Sequence, residues 1–349
     1  MRSAANIQLL LIIGLICPLI ALNIWILYQA VKYFEHLITI LTVAGILAFL
    51  LNYFVRFLER LRLQRTQSVI IVVLLTLALL GILGVTLVPI LLNQLEQLLS
   101  NIPDWFKSSN YHLEQLDILA KNRGLPLDLR GFSYRISVQI ESQVQTFASQ
   151  VLGVALGTVS GLIDFIFILV LSFYMLLYGD RLWESILNLL PPQLGKQIGG
   201  SLQRNFENFF LSQLILGLFM VITLTPLFLV LQVPFAFLFA LLIGTGQLVP
   251  IIGATLGIGV VAVLVMLKDF GLGLQVAIAA TIMQQIKDNI LAPKLMGDFT
   301  GLNPVWIFIS LLVGGQVAGF LGVIVAIPIA ATLKDTIDII LIESQPPAS

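Results

Sequence analysis

Residues 246–254 read GQLVPIIGA and lie in the middle of a long apolar stretch, about 235–267. Gly246, Pro250 and Gly253 interrupt what would otherwise be an unbroken apolar helix. Further along, residues 315–323 read GQVAGFLGV, inside a second apolar stretch of about 304–333. Aligned, the two give G-Q-x-x-[P/G]-x-x-G at a fixed offset of 69 residues, from 246 to 315. Phe239 and Phe308 fall at the same offset, and each broken stretch follows a helical one, about 206–231 and about 272–290. The pattern reads as an internal repeat of one helix plus one broken apolar segment. A coincidence between two glycine-rich apolar runs is the alternative.

In a bilayer, proline and glycine release backbone N–H and C=O groups that lipid cannot satisfy. Irregular backbone at that depth is tolerated only where protein or a watery cavity covers it. Paired interrupted segments in two halves of a chain point to a transporter's binding site. Each half-segment has some 15 residues, roughly 22 Å of helix at 1.5 Å per residue. That falls short of the ~30 Å hydrocarbon core. Each broken segment is therefore predicted to be a re-entrant hairpin, with two full spans as the alternative.

The rest of the chain is built for lipid. Of its 349 residues 58% are hydrophobic and 10% charged, and mean hydropathy is +1.03. A soluble domain carries about 25% charge, so this chain is too poor in charge to cover a water-facing surface. The apolar runs are continuous, not short and alternating, which excludes a β-barrel. The fold class is all-α and polytopic. Net charge is zero, which gives no pull toward nucleic acid. The single cysteine, Cys17, excludes an intramolecular disulfide and reads as a small buried hydrophobe.

Early spans fall at about 8–30, 37–57, 68–92 and 151–178. The first follows Arg2 and is too long for a signal-peptide core, so it reads as a retained span. Arg56, Arg60, Arg62 and Arg65 surround the second loop, and an excess of basic residues in a short loop marks the cytoplasmic side. The N-terminus is thereby placed inside, as is the C-terminus. With both broken segments as hairpins, Lys268 alone is outside, while Lys196, Arg204, Lys287, Lys294 and Lys334 are inside. With both as full spans, Lys287 and Lys294 fall outside instead. The basic-residue tally favours the hairpins and opposite topology for the two repeats.

Four regions follow: 1–92, N-terminal membrane helices; 93–150, an extracytoplasmic helical insert; 151–205, a membrane helix plus a cytoplasmic linker; and 206–349, the repeat region. In the insert, Leu91, Leu95, Leu98 and Ile102 form one helical stripe, and Ile136, Ile140, Val144, Phe147 and Val151 form another. Two membrane helices are expected to project outward, with a Pro103-initiated helix between them and a turn near Asn122–Pro126. This reads as a packing cap or oligomer contact, with a ligand-receiving domain as the minority reading. Pro191, Pro192, Gly195, Gly199 and Gly200 mark residues 179–205 as an interfacial linker and a candidate hinge.

Polar residues inside apolar runs are functional candidates by default. Gln247 and Gln316 occupy matching repeat positions and either satisfy broken backbone or meet a polar solute. Pro250, Gly253, Gly319 and Gly322 complete the two broken segments. Asp164 is the acidic residue of the fourth span, either paired with a neighbouring helix or lining a watery cavity. Among Gln284, Gln285, Lys287, Asp288 and Asn289, a lysine reaching to the interface accounts for Lys287. Asp288 and Asn289 are the better site candidates, because adjacent residues do not share a helix face. A carboxylate in low dielectric can titrate near neutrality, so Asp164 and Asp288 are the candidates for ion or proton coupling.

His36 and His112 belong to no metal-spaced cluster, and no P-loop or Gly-x-Ser-x-Gly elbow occurs. The chain therefore reads as a non-enzyme without cofactor or metal, and any transport by it is gradient-driven or passive. A membrane scaffold that binds partners through the insert is the reading from a different class.

The stretch Asn289–Lys334, NILAPKLMGDFTGLNPVWIFISLLVGGQVAGFLGVIVAIPIAATLK, together with LVPIIGATLG at 248–257, resembles the autoinducer-2 exporter family of bacterial permeases. The specific parts are Asn289, Pro293–Lys294, Met296–Gly297, Gly301–Leu302–x–Pro304, Gly314–Gly315, Gly319, Gly322 and Pro328. The layout of early spans, helical insert and Gly/Pro-rich back half matches along nearly the whole chain. The resemblance implies an oligomeric inner-membrane permease, a pentamer in better-known relatives. It implies export of a small polar solute through an elevator-like movement of the hairpin-bearing half. Some relatives are associated with autoinducer-2 and others with sodium–proton antiport. Thr255, where many relatives continue with proline or glycine, is a departure that leaves the cargo open.

Overall fold

The computed structural model describes residues 29–122, 159–188, 192–296 and 302–343, with isolated positions at 18–19, 22–23, 25–26, 142 and 146. Among the described residues the chain is helical and contains no strand. The helices are α1 Glu35–Arg60, α2 Arg65–Asn122, α3 Val159–Leu187, α4 Pro192–Val230, α5 Ala236–Gly246, α6 Gly253–Lys268 and α7 Phe270–Ile286, followed by a π-helical turn Lys287–Leu291, α8 Ala292–Met296 and α9 Pro304–Glu343. Five stretches are long and apolar enough to cross a bilayer: Glu35–Arg60, Arg65–Trp105, Gly161–Ser185, Gly195–Val230 and Val305–Asp338. The first expected span, about 8–30, lies mostly outside the described residues, as do the second insert stripe and most of the Asn122–Pro126 turn.

The N-terminal helices form one packed group. Ala48 and Val55 of α1, Val69 and Val72 of α2 and Leu176 of α3 bury together. The Ser172 hydroxyl donates to the Ala44 carbonyl at 2.9 Å, a polar contact made within the group. At the far end, Arg65 pairs with Asp180 at 2.9 Å and donates to the Leu176 carbonyl at 3.1 Å.

α2 corrects one expectation. Pro103 does not begin a new helix: α2 runs 58 residues through both Pro89 and Pro103, about 87 Å at 1.5 Å per residue. A proline removes one backbone bond in the ladder. The apolar stripe holds the helix together across that gap: Leu95, Leu98, Ile102 and Trp105 are all buried, the last three against the back half. A second correction concerns the linker. α4 starts at Pro192, and Gly195, Gly199 and Gly200 lie inside it. A Cβ on Gly195 would stand 2.7 Å from the Leu187 carbonyl oxygen, and one on Gly199 would strike the Leu187 side chain and Trp183. The first two glycines are therefore close-packing contacts with the end of α3.

The back half is arranged along α4. Its C-terminal part, Met220, Leu224 and Phe228, packs on α5 through Ala236, Phe239, Ala240 and Ile243. Its N-terminal part, Phe209 and Phe210, packs on α9 through Ile307, Leu311, Ile324 and Ile327. Small residues let backbones approach in membrane bundles. Gly217 and Gly244 do so here, each Cβ position lying within 2.8 Å of the other's carbonyl oxygen.

Candidate functional site

Both broken segments reverse the chain. α5 and α6, 11 and 16 residues long, run antiparallel about the turn 247–252. Gly246 faces Gly253, and Gly257 faces the Ile243 backbone at 3.2 Å. The turn satisfies its own backbone: Gln247, Leu248 and Val249 donate three residues back, to Gly244, Thr245 and Gly246. Ile252 donates to Pro250 at 2.7 Å across Ile251, whose φ is +67°. That is the rare, strained hand of γ-turn, here on a β-branched residue, for which a positive φ is an outlier.

In α9 the helical dihedrals fail at Ala318 and at Gly319, where φ is +57° and ψ is −139°. A Cβ added to Gly322 would overlap the Gly314 carbonyl oxygen. Eight residues of straight helix would separate those two positions by about 12 Å, so the chain folds back between them. The stretch Val305–Asp338 is thus two half-length helices, not one long span. Pro250 and Gly319, paired by the repeat offset, both stand at reversals. The facing glycines are 246 and 253 in one hairpin and 314 and 322 in the other, so one of the two contacts departs from the offset by a residue.

The tip of the first hairpin meets the end of α7 in a polar cluster. The Lys287 ammonium donates to Gln247 Oε1 at 2.8 Å and lies 2.7 Å from Asp288 Oδ1. The Gln247 amide donates to Gln284 Oε1 at 3.3 Å. Lys287 and Gln247 are each 4% exposed, whereas the Asp288 side chain is 47% exposed. This reverses the assignment made from sequence. Lys287 is not an interface lysine: it is the buried member, and Asp288 stands toward the outside. Lys287 continues the phase of α7, its N–H still bonded to the Met283 carbonyl, and a π-helical turn, Lys287–Leu291, begins there. Such turns are frequent at functional sites. Asn289 faces away from this cluster, and its amide donates to Gln285 through both the backbone and side-chain oxygens, at 2.9 and 3.0 Å.

The tip of the second hairpin faces elsewhere. Gln316, Gly319 and Gly322 line a cavity of about 590 Å³, closed on the other side by α1 from Thr39 to Phe49 and by the helical residues just before it. Gln316 is exposed. The structure therefore divides the residues singled out in the sequence. Gln247, Pro250, Gly253 and Asp288 gather around the first hairpin, and Gln316, Gly319 and Gly322 around the second. Asp164 stands apart from both, in α3, with its carboxylate 3.1 Å from His36 Nε2 at the start of α1. Among the described residues no group of His, Cys, Asp and Glu is placed to hold a metal.

Sequence reasoning missed Lys287 as the centre of the first cluster, and it missed Thr39 and Thr42 on the cavity wall. The signal for Lys287 was its position between two glutamines and an aspartate at a helix end. Thr39 and Thr42 carried no such signal.

The family model described as AI-2E family transporter matches residues 15–342. A Synechocystis sp. protein named as a candidate transport protein is 40% identical over 340 residues, covering 96% of this chain and 86% of the relative. A second from the same organism, named in the same way, is 33% identical over 331 residues, covering 93% and 95%. A Bacillus subtilis protein, also so named, is 28% identical over 255 residues, covering 71% and 70%. With its long apolar helices and two chain reversals, the protein is a multi-pass membrane transporter, and the chain belongs to the AI-2E family.

Proposed function

We propose that this transporter exports a small polar solute by alternating access, with its two hairpins entering the bilayer from opposite faces. The observation that carries the reading is that the hairpins reach the middle of α4 from opposite ends. The base of the first lies beside α2 well past its start: Trp105 and Phe235 rings are 6.1 Å apart, and Leu238 N–H donates to Gln94 at 3.0 Å. Gln94 is about 44 Å of helix from Arg65, more than the ~30 Å hydrocarbon core. The second hairpin instead has its base beside the N-terminal half of α4, where Asn205 donates to Thr332 at 3.2 Å and to Asp335 at 3.0 Å. Nearby, Arg56 pairs with Glu207 at 3.6 Å. The arginine-rich α1–α2 loop and the second hairpin's base thus share one end, cytoplasmic by the positive-inside rule.

On this reading both termini are cytoplasmic and the protein sits in a bacterial inner membrane as a homo-oligomer, a pentamer by family resemblance. Without a nucleotide motif in the sequence, transport is driven by a gradient or is passive. Autoinducer-2-like solutes head the candidate cargo. Everted vesicles or proteoliposomes carrying the wild-type protein are expected to move at least one member of a broad metabolite panel. Failure across the whole panel overturns the reading and favours a scaffold that acts through the 93–150 insert.

Sodium–proton antiport is the second reading, and the observation behind it is the Lys287–Asp288 pair at the tip of the first hairpin. Asp288→Asn and Asp164→Asn are the test. If neither alters salt-dependent proton flux in an active preparation, no carboxylate role remains.

A further inference from the structure

The cavity beside the second hairpin holds polar groups that the helices leave unused. Helical threonines ordinarily return their hydroxyl to the carbonyl four residues back, and Thr76, Thr223, Thr225 and Thr332 all do so, at 2.7–2.8 Å. Thr39 and Thr42, both on the cavity wall, make no hydrogen bond among the described residues, and neither does the Gln316 amide. Three neutral donor–acceptor groups thus converge on one space from two elements. Thr39 and Thr42 are half-buried and Gln316 is open to the cavity; a hydroxyl taken out of water without a partner costs about 1–3 kcal/mol, which favours an occupant that supplies one.

The size and the walls limit what that occupant is. Ligand pockets run from about 300 to 1,000 Å³, and this one is about 590 Å³. Most of its wall is apolar, Phe49, Phe206 and Val325 among the lining residues. Its charged lining residues, Lys32 and Glu35, are of opposite sign, so the wall carries no net charge. A net charge on the ligand would find no excess of opposite charge on this wall, and an unpaired charge is costly to desolvate.

We infer that this cavity is the solute-binding site of the carrier, and that it takes a neutral solute with an apolar body and hydroxyl or carbonyl groups. Thr39, Thr42 and Gln316 are its binding groups. The inference rests on the alternating-access reading and narrows its cargo from polar solutes to uncharged, partly apolar ones. It also gives the second hairpin a mechanical role. The reversal at Ala318–Gly319 carries Gln316 against the fixed wall of α1, so movement of that tip opens or closes the site.

The experiment uses the purified full chain with Cys17→Ser and Gly45→Cys. A Cβ at Gly45 meets only Met175 Sδ, at 4.0 Å, so the new thiol sits on the cavity wall without disturbing the polar groups. The probes are cyclohexylmethanol, cyclohexanecarboxylate and cyclohexylmethylammonium, which share one body and differ in charge. N-ethylmaleimide labelling is expected to slow about fivefold with the alcohol at about four times its Kd, and not with either ion. Adding Gln316→Leu is expected to remove the protection. Equal protection by all three probes, or none, overturns the inference. So does a labelling rate that drops on transfer from detergent to phospholipid and ignores every probe, which would assign the space to acyl chains. Flux measured on the same protein separates the two levels: flux without protection refutes the site alone, and protection without flux refutes the carrier reading alone.

Discussion

At the tip of the first hairpin, Gln247 is buried against Lys287 and Gln284. At the matching place in the second, Gln316 faces a cavity with no partner among the described residues. The two residues sit in the same motif, after the same glycine, before the same chain reversal. What differs is the neighbour. The first hairpin is wrapped by α2, α4 and α7 in one continuous core, while the second packs on α4 and leaves its tip against open space. A repeat can thus copy a backbone plan while the copies diverge in use: one tip clamped, the other free to meet a ligand.

The comparison breaks first at the glycines, where the hairpins are most alike. Gly253→Val and Gly322→Val each drive a side chain into the opposing backbone of their own hairpin. Each is expected to cost more than about 3 kcal/mol, the upper range for overpacking. The readout is loss of folded protein by size-exclusion and thermal unfolding in detergent. Normal unfolding of either variant would mean that the two arms are not in contact there.

The glutamines separate the hairpins. Gln247→Leu takes one acceptor from the buried Lys287 ammonium and leaves it Asp288 alone, and Lys287→Met leaves the buried Gln247 Oε1 without its donor; each is expected to destabilise by about 1–3 kcal/mol. Gln316→Leu is expected to stay within about 0.5 kcal/mol of wild type, as substitutions without partners do, while transport falls. Equal stability effects at Gln247 and Gln316 would erase the distinction. The smallest effect belongs to Asp164→Asn, which loses only an exposed pair with His36. It is expected to change stability by less than about 1 kcal/mol, checked in the same unfolding assay.

The membrane class and the two reversal points could be read directly from the sequence, because bulk composition and the Pro250 and Gly319 interruptions carry that information locally. The buried cluster could not. Gln247 and Lys287 are 40 residues apart, and their contact depends on how α5 packs beside α7. Lys287 and Asp288 do point apart, one buried and one half-exposed, but the rule does not say which faces inward, and local chemistry puts the lysine at the surface and the aspartate in the interior. Pro103 misleads for a related reason. Local chemistry favours a helix start at proline, yet burial of Leu98, Ile102 and Trp105 carries the helix through. Thr39 and Thr42 give no sequence signal, since any helical threonine can satisfy itself.

The opposed entry of the two hairpins is the centre of the account, and the sidedness of two lysines tests it most directly. Lys268 closes the first hairpin and Lys294 lies on α8 beyond the buried cluster; both are exposed. Each is replaced by cysteine in a Cys17→Ser background and treated in intact cells with a membrane-impermeant thiol reagent. The account predicts that Lys268→Cys is labelled from outside and Lys294→Cys only after the membrane is opened. The reverse pattern, with position 294 outside and 268 inside, would make both broken segments full spans and contradict it.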